Sequence, residues 1–380
     1  MCPRHFNLTR DGQLGFSELD CLPMQPEELA EGLSYLLDRA PALPRRLAGA
    51  LLVANPTAGG FTRPSYARLR QAELHALKER AAGLPLRADA APLELGMTTK
   101  PSHAAELARE FFAAARASGL REDEFRLVMP AGGDGTSFEV LGSLMELPPE
   151  ERRHYAVLRL PFGTGNDGSD GRDLLSCLGR LLGPCIVSPR TAILATPRPE
   201  AGKRPIWSFN IASFGADAFI AHMTNKLKTV FPGDFYKLWV DLAAVFYDFA
   251  WPSREMGLKA FSAAGSVARD FRRRLLLLAI GASGRRQYGS NKAILPDDDN
   301  ICAVSQMPLL RKLAVKGPLQ RGAHKGFPEV DLFSATRLAL DYSDRILFQA
   351  DGEITRFEAG DFPIVIDLVP EAYQCLCPAR

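Results

Sequence analysis

The chain of 380 residues contains no Cys-x-x-Cys pair, and its seven cysteines, at 2, 21, 177, 185, 302, 375 and 377, are odd in number and widely scattered. That excludes the usual zinc and thioredoxin-like spacings and leads us to expect reduced thiols in a cytosolic compartment. Long apolar runs are missing too. The longest, Leu275 to Ala282, is far too short to span a bilayer, and the opening residues hold no stretch of signal-peptide length, so any membrane contact is expected to be peripheral and transient. Neither sign of charge dominates, because 46 Lys and Arg against 44 Asp and Glu leave +2. With 46% apolar, 24% charged and 9% aromatic residues, the composition suggests neither a disordered chain nor a nucleic-acid binder. There is no repeat, no low-complexity tract, no metal-ligand spacing among the six histidines and no Walker A loop.

What is present is length for two or three domains of about 150 residues each. Residues 1–46 read as an extension with one helix, since Leu29, Leu33, Leu36 and Leu37 recur at helical spacing between Pro26 and Pro41. Over 47–184 a short apolar run is followed three times by a loop of Gly and small polar residues. Leu51–Ala54 leads into Asn55-Pro56-Thr57-Ala58-Gly59-Gly60, Leu127–Met129 into Pro130-Ala131-Gly132-Gly133-Asp134-Gly135-Thr136, and Tyr155–Leu160 into Pro161-Phe162-Gly163-Thr164-Gly165-Asn166-Asp167. Helical segments, Tyr66–Ala82 and Pro101–Ser118, lie between the first two loops. Strands alternating with helices argue for a parallel α/β sheet covered on both faces, whose ligands bind at the carboxyl ends of its strands.

From 185 to 355 the texture changes to successive β-prone stretches: Thr191–Thr196, Ile206–Phe214, Leu275–Gly281, Ile301–Val304, Arg337–Leu340 and Ile346–Ala350. They predict a second, β-rich and mostly antiparallel unit of sandwich-like character. An aromatic segment from Phe231 to Pro252 predicts one helix packed in a core, the other reading being an acyl-chain or membrane contact. The basic cluster Arg269, Arg272, Arg273 and Arg274 reads as a solvated strand end, the other reading being a site for anionic lipid head groups or ATP phosphates. Residues 356–380 form a closing segment.

The second loop carries the strongest chemical signal. A Gly cluster between strand and helix lets backbone N–H groups approach phosphate oxygens, and the helix N-terminus adds favourable potential. The competing explanation is a tight turn that needs positive φ. Gly163-x-Gly165-x-x-Gly168 matches the dinucleotide fingerprint only formally, because no acidic residue ends a strand about 20 positions later.

Together the loops resemble the catalytic domain shared by diacylglycerol kinases, sphingosine kinases and the soluble bacterial lipid kinases. Residues 55–60 resemble its first loop, 132–136 its Gly-Gly-Asp-Gly-Thr signature, and 161–167 its Pro-x-Gly-Thr-x-Asn-Asp loop. Thr98-Thr99 resembles its threonine segment, and Gln349-Ala350-Asp351-Gly352-Glu353 its late Asp-Gly-Glu element. The likeness spans about residues 48 to 368. It implies a Rossmann-like nucleotide domain, then a β-rich domain, with the chain's end returning to the first.

It also implies ATP in the cleft between them, with phosphates lined by Gly132, Gly133, Asp134, Gly135, Thr136, Glu139, Gly163 and Thr164. Thr99, Asn166 and Asp167 would stand beside them, and Asn55, Pro56, Thr57 and Gly59 would form the first loop. Glu353 inherits the role of proton acceptor from a lipid hydroxyl, with Asp134 as rival base. On its own Asp351-Gly352 reads as a hairpin turn. Of the run Asp297-Asp298-Asp299-Asn300, either Asp298 or Asp299 would hold a structural Mg²⁺, the other reading being a solvated turn.

The expectation is therefore an ATP- and Mg²⁺-dependent lipid kinase, with diacylglycerol or a related lipid alcohol as acceptor at a membrane surface and a homodimer left open. The rivals are an NAD kinase-like enzyme and a catalytically silent nucleotide- or lipid-binding relative. The retained Asp134, Thr136, Asn166, Asp167 and Glu353 argue against the silent form.

Overall fold

A computed structural model describes residues 23–89, 91–163, 166–228, 247, 251–288 and 292–379. Most of the expected aromatic helix, and Thr164 of the third loop, lie outside the described residues.

Strands β1 (Arg46–Ala54), β2 (Leu93–Met97), β3 (Glu124–Gly132), β4 (Tyr155–Val157) and β5 (Leu160–Pro161) pair in parallel. All nine residues of β3 are buried, as are the last six of β1. Runs apolar on both sides need cover on both faces, which is the condition of a parallel sheet. Helices α1 (Pro26–Leu37), the one-turn α2 (Gly59–Thr62) and α3 (Pro64–Ala81) cover one face, and α4 (His103–Ala117) and α5 (Asp134–Met145) the other. In α4 the buried positions Ala104, Ala108, Phe111, Phe112 and Ala115 make one stripe at helical spacing. The helix of the extension belongs to the same core. A Cβ at Gly32 would fall 2.7 Å from the Leu74 methyls of α3, so glycine permits this close crossing.

The later strands are β6 (Cys185–Thr196), β7 (Ile206–Ser208), β8 (Ile211–Gly215), β9 (Glu255–Phe261), β10 (Val267–Gly281), β11 (Arg286–Tyr288) and β12 (Lys292–Leu295). They continue with β13 (Ile301–Ser305), β14 (Val330–Phe333), β15 (Arg337–Tyr342), β16 (Ile346–Ala350), β17 (Glu353–Phe357) and β18 (Ile364–Pro378). They pair antiparallel with one another. Strand β10 pairs with β9 through Arg274, then with β8 and β13 from Leu275 onward. It thus crosses between two sheets at the point where its arginines end and its leucines begin. Between those sheets lie Phe214, Leu258, Leu278, Ile301, Leu338, Phe348 and Ile366. The closing strand β18 runs along β6, and its Cys375 pairs in parallel with Val157 of β4, joining both units in one mixed sheet.

The basic cluster is a solvated stretch of β10 with ion pairs on both of its faces: Arg269 and Arg273 reach Asp331 at 3.4 and 3.5 Å, and Arg272 reaches Asp341 at 2.5 Å. The expected stretch Ile206–Phe214 is broken at Phe209-Asn210, where a side chain from the far end of the chain enters.

Candidate active site

The first loop is held from both sides. The Asn55 N–H donates to Ala131 O at 2.9 Å, and Asn55 Oδ1 accepts from the N–H and hydroxyl of Thr57 at 3.1 and 2.8 Å. The Gly60 N–H donates to Phe162 O at 2.7 Å, so Pro56 and Gly59 ride in a loop clamped against the third. In the third loop Asn166 Oδ1 accepts from the Gly163 N–H at 2.8 Å, and its Nδ2 donates back to Gly163 O at 3.0 Å.

No residue from Gly132 to Gly135 has a left-handed φ. The turn explanation therefore fails, and the glycines serve close approach. A Cβ on Gly132 would lie 2.3 Å from Thr136 Oγ1, one on Gly133 would meet the Gly163 Cα at 3.7 Å, and one on Gly135 would meet Glu353 Oε1 at 3.6 Å. The start of α5 is thus open backbone, with N–H groups that have no partner inside the helix, facing a carboxylate from β17.

Asp134 opens α5, and its Oδ1 accepts from the Gly168 N–H at 3.0 Å. Burial pushes its carboxyl up to about 6, helped by the charges of Asp167 and Asp351 and opposed by the Gly168 N–H and Arg159. Gly168, which closes the formal Gly-x-Gly-x-x-Gly match, is through its N–H the donor to Asp134. Arg159 and Asp170, which nothing in the sequence singled out, form a buried ion pair at 3.0 Å that pins the third loop.

Glu353 stands at the start of β17, opposite Ala350 across a two-residue turn. Asp351 and Gly352 have φ of 51° and 94°, so the hairpin reading of Asp351-Gly352 is correct as far as it goes. The Asp351 side chain has a further task. It accepts from Ser208 Oγ and from the N–H groups of Phe209, Asn210 and Ile211, at 2.5 to 3.0 Å, and this is the break in the Ile206–Phe214 stretch. The turn that presents Glu353 is thereby locked to β8. The Glu353 carboxyl is raised from its ordinary range by partial burial and by the charge of Glu139.

Glu139 and Thr99 sit at the same end of the sheet in structural employment. Glu139 accepts from the Ser102 and Ala104 N–H groups at 2.9 and 3.1 Å, capping α4 from α5. The Thr99 N–H donates to His103 Nδ1 at 3.0 Å. Both oxygens of Glu139 are engaged, so its contribution to a phosphate site is the placement of α4 and a field on Glu353.

The acidic run does not assemble. Asp297 pairs with Lys325 at 2.6 Å, Asp298 with Arg285 at 2.7 Å, and Asp299 accepts from Ser334 Oγ at 2.7 Å. Among the described residues no three His, Cys, Asp or Glu side chains gather as a metal cage. Two carboxylates matched to two cations do not fit the oxygen-rich donor set of Mg²⁺, so the expectation for Asp298 or Asp299 is not supported by their placement. Without nucleotide, the melting temperature should agree within about 1 °C between EDTA and millimolar Mg²⁺. A rise of several degrees that Asp298→Asn or Asp299→Asn removes would restore the metal assignment.

Part of the chain resembles known proteins. Residues 49–172 match the model of the diacylglycerol kinase catalytic domain. The matched stretch is the one that holds the three loops. It is 26% identical over 270 residues to YtlR of Bacillus subtilis, named as a lipid kinase, with 68% of this chain and 82% of that one covered. It is 28% identical over 255 residues to a YegS-like protein of Yersinia pseudotuberculosis, also named as a lipid kinase, covering 66% of this chain and 78% of the other. A crystal structure from Bacillus anthracis, named as a diacylglycerol kinase, superposes with a TM-score of 0.52 at 16% identity, over 87% of this chain and 97% of that one. The last likeness concerns the fold alone.

Proposed function

We propose that the protein transfers the γ-phosphoryl group of ATP to the hydroxyl of a lipid alcohol, with diacylglycerol as the first acceptor to test. One observation carries this reading: the β16–β17 hairpin brings Glu353 over Gly135 at the open start of α5, next to Asp134. A carboxylate at that point stands where a hydroxyl would approach a phosphate cradled by backbone N–H groups. Glu353 takes the hydroxyl proton as attack proceeds, and burial and the charge of Glu139, which raise its pKa, make it a stronger base than a free carboxylate. The glycines and the N-terminus of α5 hold the phosphates, and the first and third loops fix their depth. Mg²⁺ enters as part of the nucleotide substrate.

No helix among the described residues is long and apolar enough to cross a membrane. The lipid is accordingly met at a bilayer surface by peripheral, transient contact, with no nucleic-acid partner. Purified protein given labelled ATP with diacylglycerol, a total lipid extract, or NAD distinguishes the outcomes. Label in a lipid product supports the proposal; label only in NADP, or none anywhere, refutes it.

A further inference from the structure

Three arginines lie within electrostatic reach of one another, one of them bound to the end of the third loop. Arg159 is matched by Asp170. Arg190, on β6, stands opposite Tyr373 of β18. Its Nη2 reaches the Sγ of Cys377 at 3.0 Å, and its Nε is buried without an acceptor among the described residues. Arg286, at the start of β11, donates from Nε to Ser283 Oγ at 2.9 Å and from Nη1 to Asn210 Oδ1 at 3.2 Å, both neutral acceptors. Asn210 also donates through Nδ2 to Gln287 O at 3.3 Å, so one side chain holds both the head of Arg286 and the backbone behind it.

The charge balance here is uneven. Arg286 feels Arg159, Arg190 and Asp351, but Asp351 already accepts four hydrogen bonds from the 208–211 segment, and Asp170 is taken by Arg159. Neither Arg190 nor Arg286 has a carboxylate at hydrogen-bond distance among the described residues. Burial accordingly holds the Arg286 guanidinium below its usual range. Partly buried cations without counter-charge are unfavourable unless an anion joins them, and a fork pinned by two neutral acceptors keeps its remaining donors for one. The cluster adjoins the active site through Arg159, whose Nη1 lies 3.3 Å from the point a Gly168 Cβ would occupy, as does Asp134 Oδ1.

We propose that Arg286, with Arg190, forms an anion subsite on the Gly168 side of Asp134 that binds a phosphate group. The subsite deepens the kinase reading by naming side chains that would face phosphate oxygens, and it rests on that reading only for the phosphate's origin. A bidentate guanidinium–phosphate contact supplies what the Gly-rich loops lack, a fixed positive charge at defined geometry.

The test is titration calorimetry of intact protein with inorganic pyrophosphate, ATP and phosphatidic acid vesicles, comparing wild type, Arg286→Gln and Ser283→Asp. Ser283 is exposed, so its substitution places a carboxylate on Arg286 with little risk to folding. Pyrophosphate affinity should fall at least about tenfold in both variants, with melting temperatures at or above wild type. A matching loss for ATP assigns the subsite to the donor; a loss for the vesicles with ATP unchanged assigns it to a lipid headgroup. Pyrophosphate affinity within twofold of wild type in both variants, or no binding to wild type at millimolar concentration, overturns the proposal. Wild-type protein that binds pyrophosphate yet phosphorylates no lipid refutes the kinase reading and leaves the subsite standing.

Discussion

Asp134→Asn is expected to leave a folded protein that melts higher than wild type without ligand, while lipid phosphorylation falls by at least about two orders of magnitude. The two effects share one cause. A carboxyl pushed up to about 6 holds its proton more tightly in the native state than in the unfolded chain, where 3.8 is the ordinary value. The native state therefore binds the extra proton between these values, and stability falls as pH rises through that window. At neutral pH the ionised group disfavours the fold by on the order of 1–3 kcal/mol. Asparagine keeps an oxygen for the Gly168 N–H and removes the charge, so the gain should be present at pH 7.5 and vanish near pH 4. That unfavourable charge is retained at a site of open backbone donors, where it can organise the reacting groups. An Asn variant with near wild-type turnover would remove Asp134 from the chemistry. An unchanged melting temperature would show that its environment is not the strained one described.

What was legible in the sequence was what local chemistry dictates. The three loops could be read because a Gly-rich segment after an apolar run has few alternatives, and α1 and α4 because their apolar positions keep helical spacing. Strand β9, the first half of β10, and β18 were not visible. In β10 the run Arg272-Arg273-Arg274 looks like a solvated end, and only the partners Asp331 and Asp341, from 58 to 69 positions away, tie it into the sheet. Long-range compensation of this kind leaves no periodic trace. The same limit hid the function of Asp351. Its turn is local and was read correctly; its four donors lie about 140 residues earlier.

The acidic run is a case in which the resemblance and the local pattern point different ways. On its own a run of aspartates reads as a solvated turn, and only the family resemblance implied a metal; the pairing of Asp297 with Lys325 and of Asp298 with Arg285 is what a solvated turn would show. Arg286 is one of 46 basic residues, and its partners Ser283 and Asn210 and its arginine neighbours Arg159 and Arg190 come together only in the fold.

Glu353→Gln is expected to lower kcat by about 10²–10⁴-fold and to leave the ATP dissociation constant within about twofold. The carboxylate's part is to accept a proton as the lipid hydroxyl attacks, so the lost interaction exists mainly in the transition state. Glutamine keeps the shape above Gly135 and cannot accept that proton. Folding should survive, because the hairpin is fixed by Asp351 and by Gly352, not by Glu353. Melting temperature should hold or rise slightly, since the substitution removes repulsion from Glu139. Gly352→Val provides the contrast. At a φ of 94° a β-branched residue is strained, so this variant should lose stability along with turnover. If only the turn mattered, Val would be the damaging change and Gln would be tolerated. Measuring kcat, ATP affinity and melting temperature on both variants separates the accounts: an inactive, stable, ATP-binding Gln variant identifies the base, whereas a fully active one passes the role to Asp134.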